Sequence, residues 1–351
     1  MLAILWFSGG KETAEALQNG KRFVLHVEGE KIEGRDVGAL TTTANPEKSA
    51  EHAEHKDAEA EVPIIPKAVE PPKEDLTVIP AVQKSQAPIA DILPDLAEKK
   101  DDLNLPHPSA DGRKIASYYA KAFKRPDERP IISIIVTGLG HSRQVTQSAL
   151  ALNENIGLSF SPYSRTIAGW VEASRVSGHE AYIDLPMQTS GYPAEDPGPY
   201  ALLLSRSNTQ NIAYLHWAMS RTQGYVGLFT PVDGVMSTNS EAYKPLVTDM
   251  ARRGAMLFMG NEPLLRETKD VIDQSKVDKL VGDVWIDEEL SEMGMQARFA
   301  TLEQTAQRNG FAIGVVHAYP ISIAQLKHWL EREGVNDFIL APPSFINQLK
   351  R

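Results

Sequence analysis

The sequence predicts an α/β fold, a (β/α) barrel of seven or so strands, complete or incomplete, preceded by a disordered N-terminal segment. Apolar strand-like runs alternate with segments of helical periodicity from about residue 130 to the C-terminus. Short connections between such elements are typical of a parallel sheet covered by helices. A doubly wound open sheet is the alternative, but Gly138-Leu139-Gly140 lacks the third glycine of a nucleotide-binding turn. The length of the alternating part fits a small or incomplete barrel.

Each predicted strand is an apolar run that stops at small, polar or proline residues. The predicted strands are residues 131–140, 157–161, 181–185, 225–229, 255–259, 281–286, 310–320 and 338–341. The predicted helices are residues 142–153, 167–177, 208–222, 240–253, 293–309 and 321–333, after a lead-in at 115–123. Four of these helices are followed by a glycine that suits a helix C-terminus, namely Gly178, Gly254, Gly310 and Gly334.

The first third of the chain has a different composition. No Phe, Trp or Tyr occurs between Phe23 and Tyr118. Residues 41–112 hold 15 Asp and Glu against 7 Lys and Arg, with 10 prolines. Such a stretch buries too little apolar surface to offset its ordering entropy. We therefore predict a disordered, acidic, Ala/Pro-rich linker over residues 37–112 and a folded domain over 113–351.

The charge and the N-terminus restrict the partners. A net charge of −10 and the lack of a Lys/Arg-rich run in the folded part argue against nucleic-acid binding. Residues 1–36 open with an apolar run, Met1–Phe7, that is too short to span a bilayer. It reads equally as the frayed end of a soluble protein or as the remnant of a membrane anchor. The absence of cysteine excludes thiolate chemistry and disulfides.

Chemistry in an α/β barrel is expected where strands end at their carboxyl side. The strand that begins at Gly310 brings His317 to that edge, whereas the first strand brings only Thr137 and Gly138. Asp184, within the third strand, would point inward and need a partner that the sequence does not name. Trp285 is predicted to be a core residue.

Six segments share their order and spacing with one known family. They are Val136–Ser142, Gly178–Glu180 with Leu185–Gln188, Asp196–Pro199, Tyr225–Gly227, Asp283–Asp287 and Ala312–His317. From about Pro130 to the C-terminus, the chain thereby resembles the divergent polysaccharide deacetylase family. The resemblance implies a barrel-like relative of metal-dependent carbohydrate esterases.

The chain departs from this family at three places. The family's first strand typically ends Asp-Asp-Leu-Gly, where this chain has Thr137-Gly138-Leu139-Gly140. The family's histidine loop, Asn-His-Met-Gly-Ser, is replaced by residues 230–236, which contain no histidine, and a later Leu-Asp-Ser is replaced by Met259-Gly260-Asn261. A catalytic zinc usually takes three protein ligands. We therefore predict no metal ligands, and zinc or another divalent metal only if the lost ligands are replaced.

Six residues remain as site candidates. In the resemblance, Asp287 orients His317, which protonates the leaving amine, so these two are the predicted catalytic residues; a purely structural His–Asp pair is the alternative. His141, His179, Glu180 and Asp233 are predicted to bind substrate, with Asp233 also a replacement ligand. For His179 the alternative is a packing role, and for Glu180 a solvated loop position.

Two functions stay open at this stage. The first is a metal-dependent hydrolase that removes N-acetyl groups from a cell-envelope polysaccharide. The second is an inactive pseudoenzyme that binds a glycan or an envelope protein. The linker and the resemblance together favour a periplasmic domain tethered to the inner membrane upstream of the linker.

Overall fold

The computed structural model describes residues 79, 82–263 and 265–349. A two-stranded hairpin precedes one parallel sheet of nine strands. The strands are β1 (Ala97–Lys100), β2 (Leu103–Pro106), β3 (Ile131–Leu139), β4 (Gly157–Phe160), β5 (Ala181–Asp184), β6 (Gly227–Thr230), β7 (Met256–Met259), β8 (Lys279–Val281), β9 (Val284–Trp285), β10 (Phe311–His317) and β11 (Ile339–Leu340). The predicted α/β fold with an incomplete barrel is confirmed.

The helices follow the strands along the chain. They are α1 (Ile115–Tyr118), α2 (Arg143–Leu150), α3 (Ile167–Val176), α4 (Asn208–Met219), α5 (Ser240–Arg252), α6 (Arg266–Ser275), α7 (Glu292–Asn309), α8 (Pro320–Glu331) and α9 (Pro343–Leu349). Side chains of Ser142, Ser207 and Ser291 accept the first free backbone N–H groups of α2, α4 and α7.

Two helices were not predicted from the sequence. Only Thr268 and Ile272 of α6 are buried, so the apolar stripe of this helix is too narrow to show its period. Helix α9 begins at Pro343, in the Pro-Pro pair that follows the last predicted strand. Proline is well tolerated in the first turn of a helix, because its missing N–H would be unpaired there in any case.

The sheet runs in the order β8-β7-β6-β5-β4-β3-β10-β9, with β11 beside the start of β3. The two edge strands, β8 and β9, are consecutive in the chain. Between them, Gly282 N–H donates to Met259 O and Asp283 N–H donates to Ile313 O, each at 2.8 Å. The single strand predicted at 281–286 is therefore a segment that passes from one edge of the curled sheet to the other.

The central strand β3 explains why its sequence is almost uniformly apolar. All of its residues except Gly138 are buried, since helices and neighbouring strands cover both faces. It pairs with β10 along seven residues, and this register sets His317 beside Thr137. The same strand thus builds the core and fixes the position of polar residues at its carboxyl end.

Part of the segment predicted as linker is folded. Residues 82–112 contain the β1–β2 hairpin and bury Ile89, Leu96 and Leu105. Ser85 N–H and Ile89 N–H donate to carbonyls at the end of α3, at 2.9 and 3.0 Å. Aliphatic anchors and backbone hydrogen bonds replace the missing aromatic residues here. The predicted segment 1–36, and the linker before residue 82 apart from residue 79, lie outside the described residues.

Within the part of the chain that the structure describes, no helix combines the length and the apolar character needed to cross a bilayer.

The start of β6 offers a test of the packing. A Cβ added at Gly227 would lie 2.2 Å from the carbonyl oxygen of Met256 on β7. Since that neighbour is backbone, Gly227→Ala should lower the free energy of unfolding by about 1–3 kcal/mol in chemical denaturation. Gly334→Ala is the control, since only Arg332 Nη2 lies within 4.0 Å of its added Cβ. Equal stability of the two variants would contradict this register.

Candidate functional site

Polar side chains from four adjacent strands meet at the carboxyl edge of the sheet. Thr137 of β3, Ser159 of β4, Asp184 of β5 and His317 of β10 lie at or near the strand ends. In a parallel barrel this edge is where functional groups collect. The space between these side chains is the strand-end cleft.

The two predicted catalytic residues form a hydrogen-bonded pair. Asp287 Oδ1 lies 3.0 Å from His317 Nδ1, and Asp287 Oδ2 accepts the backbone N–H of His317 at 2.8 Å. Ser322 Oγ donates to the same Oδ2 at 2.7 Å. The carboxylate is thus held from two sides by the end of β10 and by α8. The pair predicted from the sequence is brought together by the fold.

The hydrogen bonds assign the tautomer of His317. Because a carboxylate oxygen only accepts, Nδ1 carries the proton that bridges to Asp287. Trp285 Nε1 lies 2.8 Å from Asp287 Oδ1 and 3.1 Å from His317 Nδ1, so its proton goes to the carboxylate. The imidazole of His317 is one quarter exposed, and its Nε2 has no hydrogen-bond partner among the described residues. When the ring carries one proton, that proton lies on Nδ1 and the lone pair of Nε2 faces the cleft.

The electrostatics of Asp287 suit this arrangement. Burial opposes ionisation of the carboxyl, whose side chain is fully enclosed. The hydrogen bond and charge of His317, together with the Ser322 hydroxyl, outweigh burial and hold the pKa of Asp287 below its usual range. An ionised Asp287 can therefore hold the Nδ1 proton of His317 and orient the imidazole ring.

Asp184 is a second carboxylate in the cleft, and the sequence analysis did not place it in the site. Its Oδ1 accepts from Thr137 Oγ1 at 2.7 Å and from Ser159 Oγ at 2.5 Å. Its Oδ2 accepts from Gly138 N at 2.9 Å. The residues that replace the acids of the first strand, Thr137 and Gly138, thus act as donors to a carboxylate from β5.

The environment of Asp184 differs from that of Asp287. The residue is partly exposed at the cleft, but protein atoms replace most of the water around its carboxylate. This loss of water raises the pKa of Asp184, although Ser159, Thr137, Gly138 and the charge of His317 act in the opposite direction. Thr137 links the two groups, since it lies beside His317 in the register of β3 and β10 and its hydroxyl donates to Asp184.

The four residues predicted to bind substrate lie at two ends of the strands. His141 is exposed in the loop after β3, and Asp233 is half-buried in the loop after β6, so both lie on the carboxyl side. His179 and Glu180 immediately precede β5, so they lie at the amino ends of the strands, opposite the cleft. The structure does not bring these two to the strand-end cleft.

His179 and Glu180 are instead bonded within the protein. His179 is 1% exposed, and its ring nitrogens lie 2.9 Å from Ile156 O and 3.3 Å from Leu150 O. Burial lowers the pKa of His179 and raises the pKa of Glu180. Glu180 accepts from Lys121 N and Tyr182 Oη, each at 2.8 Å, and from the backbone and hydroxyl of Ser344. These bonds correspond to the packing role that the sequence left open for His179, and they replace the solvated position considered for Glu180.

A groove lies along the ends of β7, β8 and β9. Its lining includes Val232, Asn261, Gly282, Trp285, Glu288 and Arg298. The Trp285 ring is only partly buried and its centroid lies 5.3 Å from that of His317. Trp285 packs against the core, as predicted, but its ring also borders the groove and donates to Asp287. Its position one residue from a strand end, two residues before Asp287, was the available signal.

The donor set does not fit a three-ligand metal site. Among residues 82–263 and 265–349, no three His, Asp or Glu side chains are grouped as a metal ion requires. Asp287 already accepts four hydrogen bonds, and Asp184 accepts three.

Comparisons with known proteins agree on the region and on the fold. A family model described as divergent polysaccharide deacetylase matches residues 134–346. A crystal structure of an uncharacterized protein from Agrobacterium tumefaciens C58 is 27% identical, with a TM-score of 0.65, over 70% of this chain and 99% of that one. No curated protein matches the chain.

Two further solved structures show a weaker likeness. The catalytic domain of peptidoglycan N-acetylglucosamine deacetylase from Eubacterium rectale ATCC 33656 is 13% identical, with a TM-score of 0.38, over 62% of this chain and 90% of that one. A putative fructose-1,6-biphosphate aldolase from Coccidioides immitis is 13% identical, with a TM-score of 0.30, over 58% of this chain and 89% of that one.

Proposed function

This chain belongs to the divergent polysaccharide deacetylase family, and from that membership we propose that it binds a polysaccharide of N-acetylated amino sugars in the strand-end cleft. The proposal assigns it a binding role without the family's metal-dependent hydrolysis. The observation that carries it is the end of β3, where Thr137 and Gly138 donate to Asp184 instead of supplying carboxylates. The cleft thus keeps polar groups that suit sugar hydroxyl and amide groups, while the acids expected of a metal site are missing.

Two features of the cleft support carbohydrate as the ligand. Sugar-binding sites combine directed hydrogen-bonding groups with an apolar or aromatic surface. Asp184 and His317 Nε2 provide acceptors for hydroxyl protons, and the partly exposed Trp285 ring lines the adjoining groove. The groove continues past the ends of three strands, which suits a polymer rather than a single sugar.

Calorimetric titration of the full chain with oligosaccharides of N-acetylglucosamine tests this function. We expect saturable binding that His317→Ala weakens by about tenfold or more, since one hydrogen-bonding partner of the sugar is lost from the cleft. His328→Ala, at an exposed position of α8, is the matched control and should bind as the unchanged protein does. An absence of binding to any of these oligosaccharides, or equal binding by His317→Ala, would overturn the proposal.

Deacetylation is the second candidate function, because the Asp287–His317 pair retains the geometry of a general acid. In that case, acetate should be released from the oligosaccharides after zinc or another divalent metal is supplied. Release should vanish in His317→Ala and persist in His328→Ala. Acetate release with this dependence would replace the binding function by the hydrolytic one.

The proposed setting is the cell envelope, with a periplasmic domain tethered to the inner membrane. The acidic, proline-rich composition of residues 41–112 and the apolar run Met1–Phe7 support it. Fractionation of cells that express the full chain would test the location. Recovery in the cytoplasmic fraction alone would contradict it.

A further inference from the structure

The strand-end cleft holds two hydrogen-bond acceptors with room for a further donor. Asp184 Oδ1 already accepts two bonds, from Thr137 and Ser159, whereas Oδ2 accepts one, from Gly138. A carboxylate oxygen can accept two, so one position on Oδ2 is open. His317 Nε2 is the second acceptor when the ring carries one proton, because Asp287 Oδ1 accepts that proton from Nδ1.

A ligand group that fits between these two acceptors must donate hydrogen bonds to both of them. An acetamido group offers one N–H donor and a carbonyl oxygen, and that oxygen would face lone pairs here. A primary ammonium group offers three N–H donors and a positive charge, and the charge complements the carboxylate of Asp184. Hydrogen bonds between ionised partners are shorter and stronger than those between neutral ones.

The acceptors are also sheltered. Thr137 is 5% exposed and Ser159 is fully buried, so the donors that fix Asp184 are themselves held by the strands. The ring of Tyr319 stacks on that of His317 with centroids 5.9 Å apart, and the centroid of the Trp285 ring lies 5.3 Å from that of His317. A charge pair in such partly water-excluded surroundings is screened less than one on the open surface.

We propose that this cleft recognises the protonated amine of a deacetylated amino sugar, with the ammonium group bound between Asp184 Oδ2 and His317 Nε2. The inference rests on the proposed polysaccharide-binding function and refines its ligand. The chain would bind the free-amine form of the glycan in preference to the N-acetylated form. A divergent member of a deacetylase family would thus read deacetylated sites rather than make them.

The test compares two matched sets of oligosaccharides of equal length near neutral pH. One is made of glucosamine, the other of N-acetylglucosamine, and each is titrated into the metal-free full chain. We expect the glucosamine oligosaccharide to bind at least about tenfold more tightly, as one charge-assisted bond implies. Asp184→Asn should remove this preference while leaving the weaker binding of the N-acetylated set.

Two further variants keep the result interpretable. Asp184→Asn is expected to fold. The hydrogen bond it loses is that from the backbone N–H of Gly138, which is an exposed residue whose N–H can bond water instead. Thr137→Val has nearly the same shape and keeps the charge of Asp184, but it removes one hydrogen bond to Asp184 Oδ1. It should therefore reduce the preference for the glucosamine oligosaccharide by less than Asp184→Asn does. Asp101→Asn, in the turn of the β1–β2 hairpin, is the matched control and should bind as the unchanged chain does.

The outcomes separate this inference from the function on which it rests. Equal or tighter binding of the N-acetylated set, unaffected by Asp184→Asn, overturns the amine site and leaves polysaccharide binding intact. Failure of both sets to bind overturns both. The last experiment is a zinc titration. The amine site would be overturned if the chain bound one equivalent of zinc, if Asp184→Asn abolished that binding, and if zinc displaced the glucosamine oligosaccharide. The two acceptors would then serve a metal.

Discussion

Glu180→Ala should lower the free energy of unfolding by about 4 kcal/mol or more, because it leaves several buried donors without a partner. Glu180 is 1% exposed and accepts four hydrogen bonds, from Lys121 N, Tyr182 Oη and two groups of Ser344. These bonds join β5 to the segment before β3 and to the first turn of α9. Removal of the carboxylate also leaves a cavity in which those elements lose contact.

Chemical denaturation followed by circular dichroism measures this effect. Glu128→Ala is the matched control, since the Glu128 side chain is 96% exposed and its variant should change stability by less than about 1 kcal/mol. Glu180→Gln should fall between the two, because each oxygen of Glu180 faces one backbone N–H and the amide would oppose one of them. A stable Glu180→Ala protein with reduced glycan binding would instead return Glu180 to the list of ligand-binding residues.

Arg253→Ala should cost about 3–5 kcal/mol, the usual effect of breaking a buried ion pair. Arg253 is 1% exposed at the end of α5, and its Nε donates to Asp249 Oδ2 at 2.9 Å. Its Nη1 donates to Glu98 Oε1 and to Pro106 O, each at 3.2 Å. The guanidinium thereby fastens the β1–β2 hairpin to the barrel, and its loss should expose the hairpin to protease before global unfolding.

The free energy of unfolding lost in Arg253→Ala should become smaller as the pH falls. Burial opposes ionisation of Asp249, but the bonds from His216 and Arg252 and the charge of Arg253 outweigh it and lower the pKa of Asp249. A lowered pKa gives stability that is complete above the ordinary range for aspartate and is lost as the pH falls toward the folded-state value. The gap between Arg253→Ala and the unchanged protein should therefore narrow in acid.

The neighbouring residue supplies the control for this prediction. Arg252 also contacts Asp249, but its side chain is 55% exposed. Arg252→Ala should therefore cost less than about 1 kcal/mol in denaturant melts at neutral pH. Equal losses for Arg252→Ala and Arg253→Ala would mean that burial does not decide the strength of these contacts.

The amino-acid sequence by itself determined most of the strands and helices after residue 130, and the Asp287–His317 pair. Parallel strands buried on both faces are continuous apolar runs, and their ends are marked by glycine, proline or polar residues, so local pattern is sufficient to find them. The two members of the pair follow adjacent strand ends, so a barrel places them at one edge. The segment from Lys279 to Trp285 was predicted as one strand, because its sequence does not show that it contributes to both edges of the sheet.

Only the tertiary structure decided the surroundings of the other polar residues. Asp184 receives its hydrogen bonds from residues 46, 47 and 25 positions away, and no local pattern reports such partners. The same holds for Glu180, whose partner Ser344 lies 164 positions away. Whether a buried carboxylate faces a ligand or a backbone amide depends on which end of the strand it occupies and on what distant chain packs there, and only the folded chain fixes both.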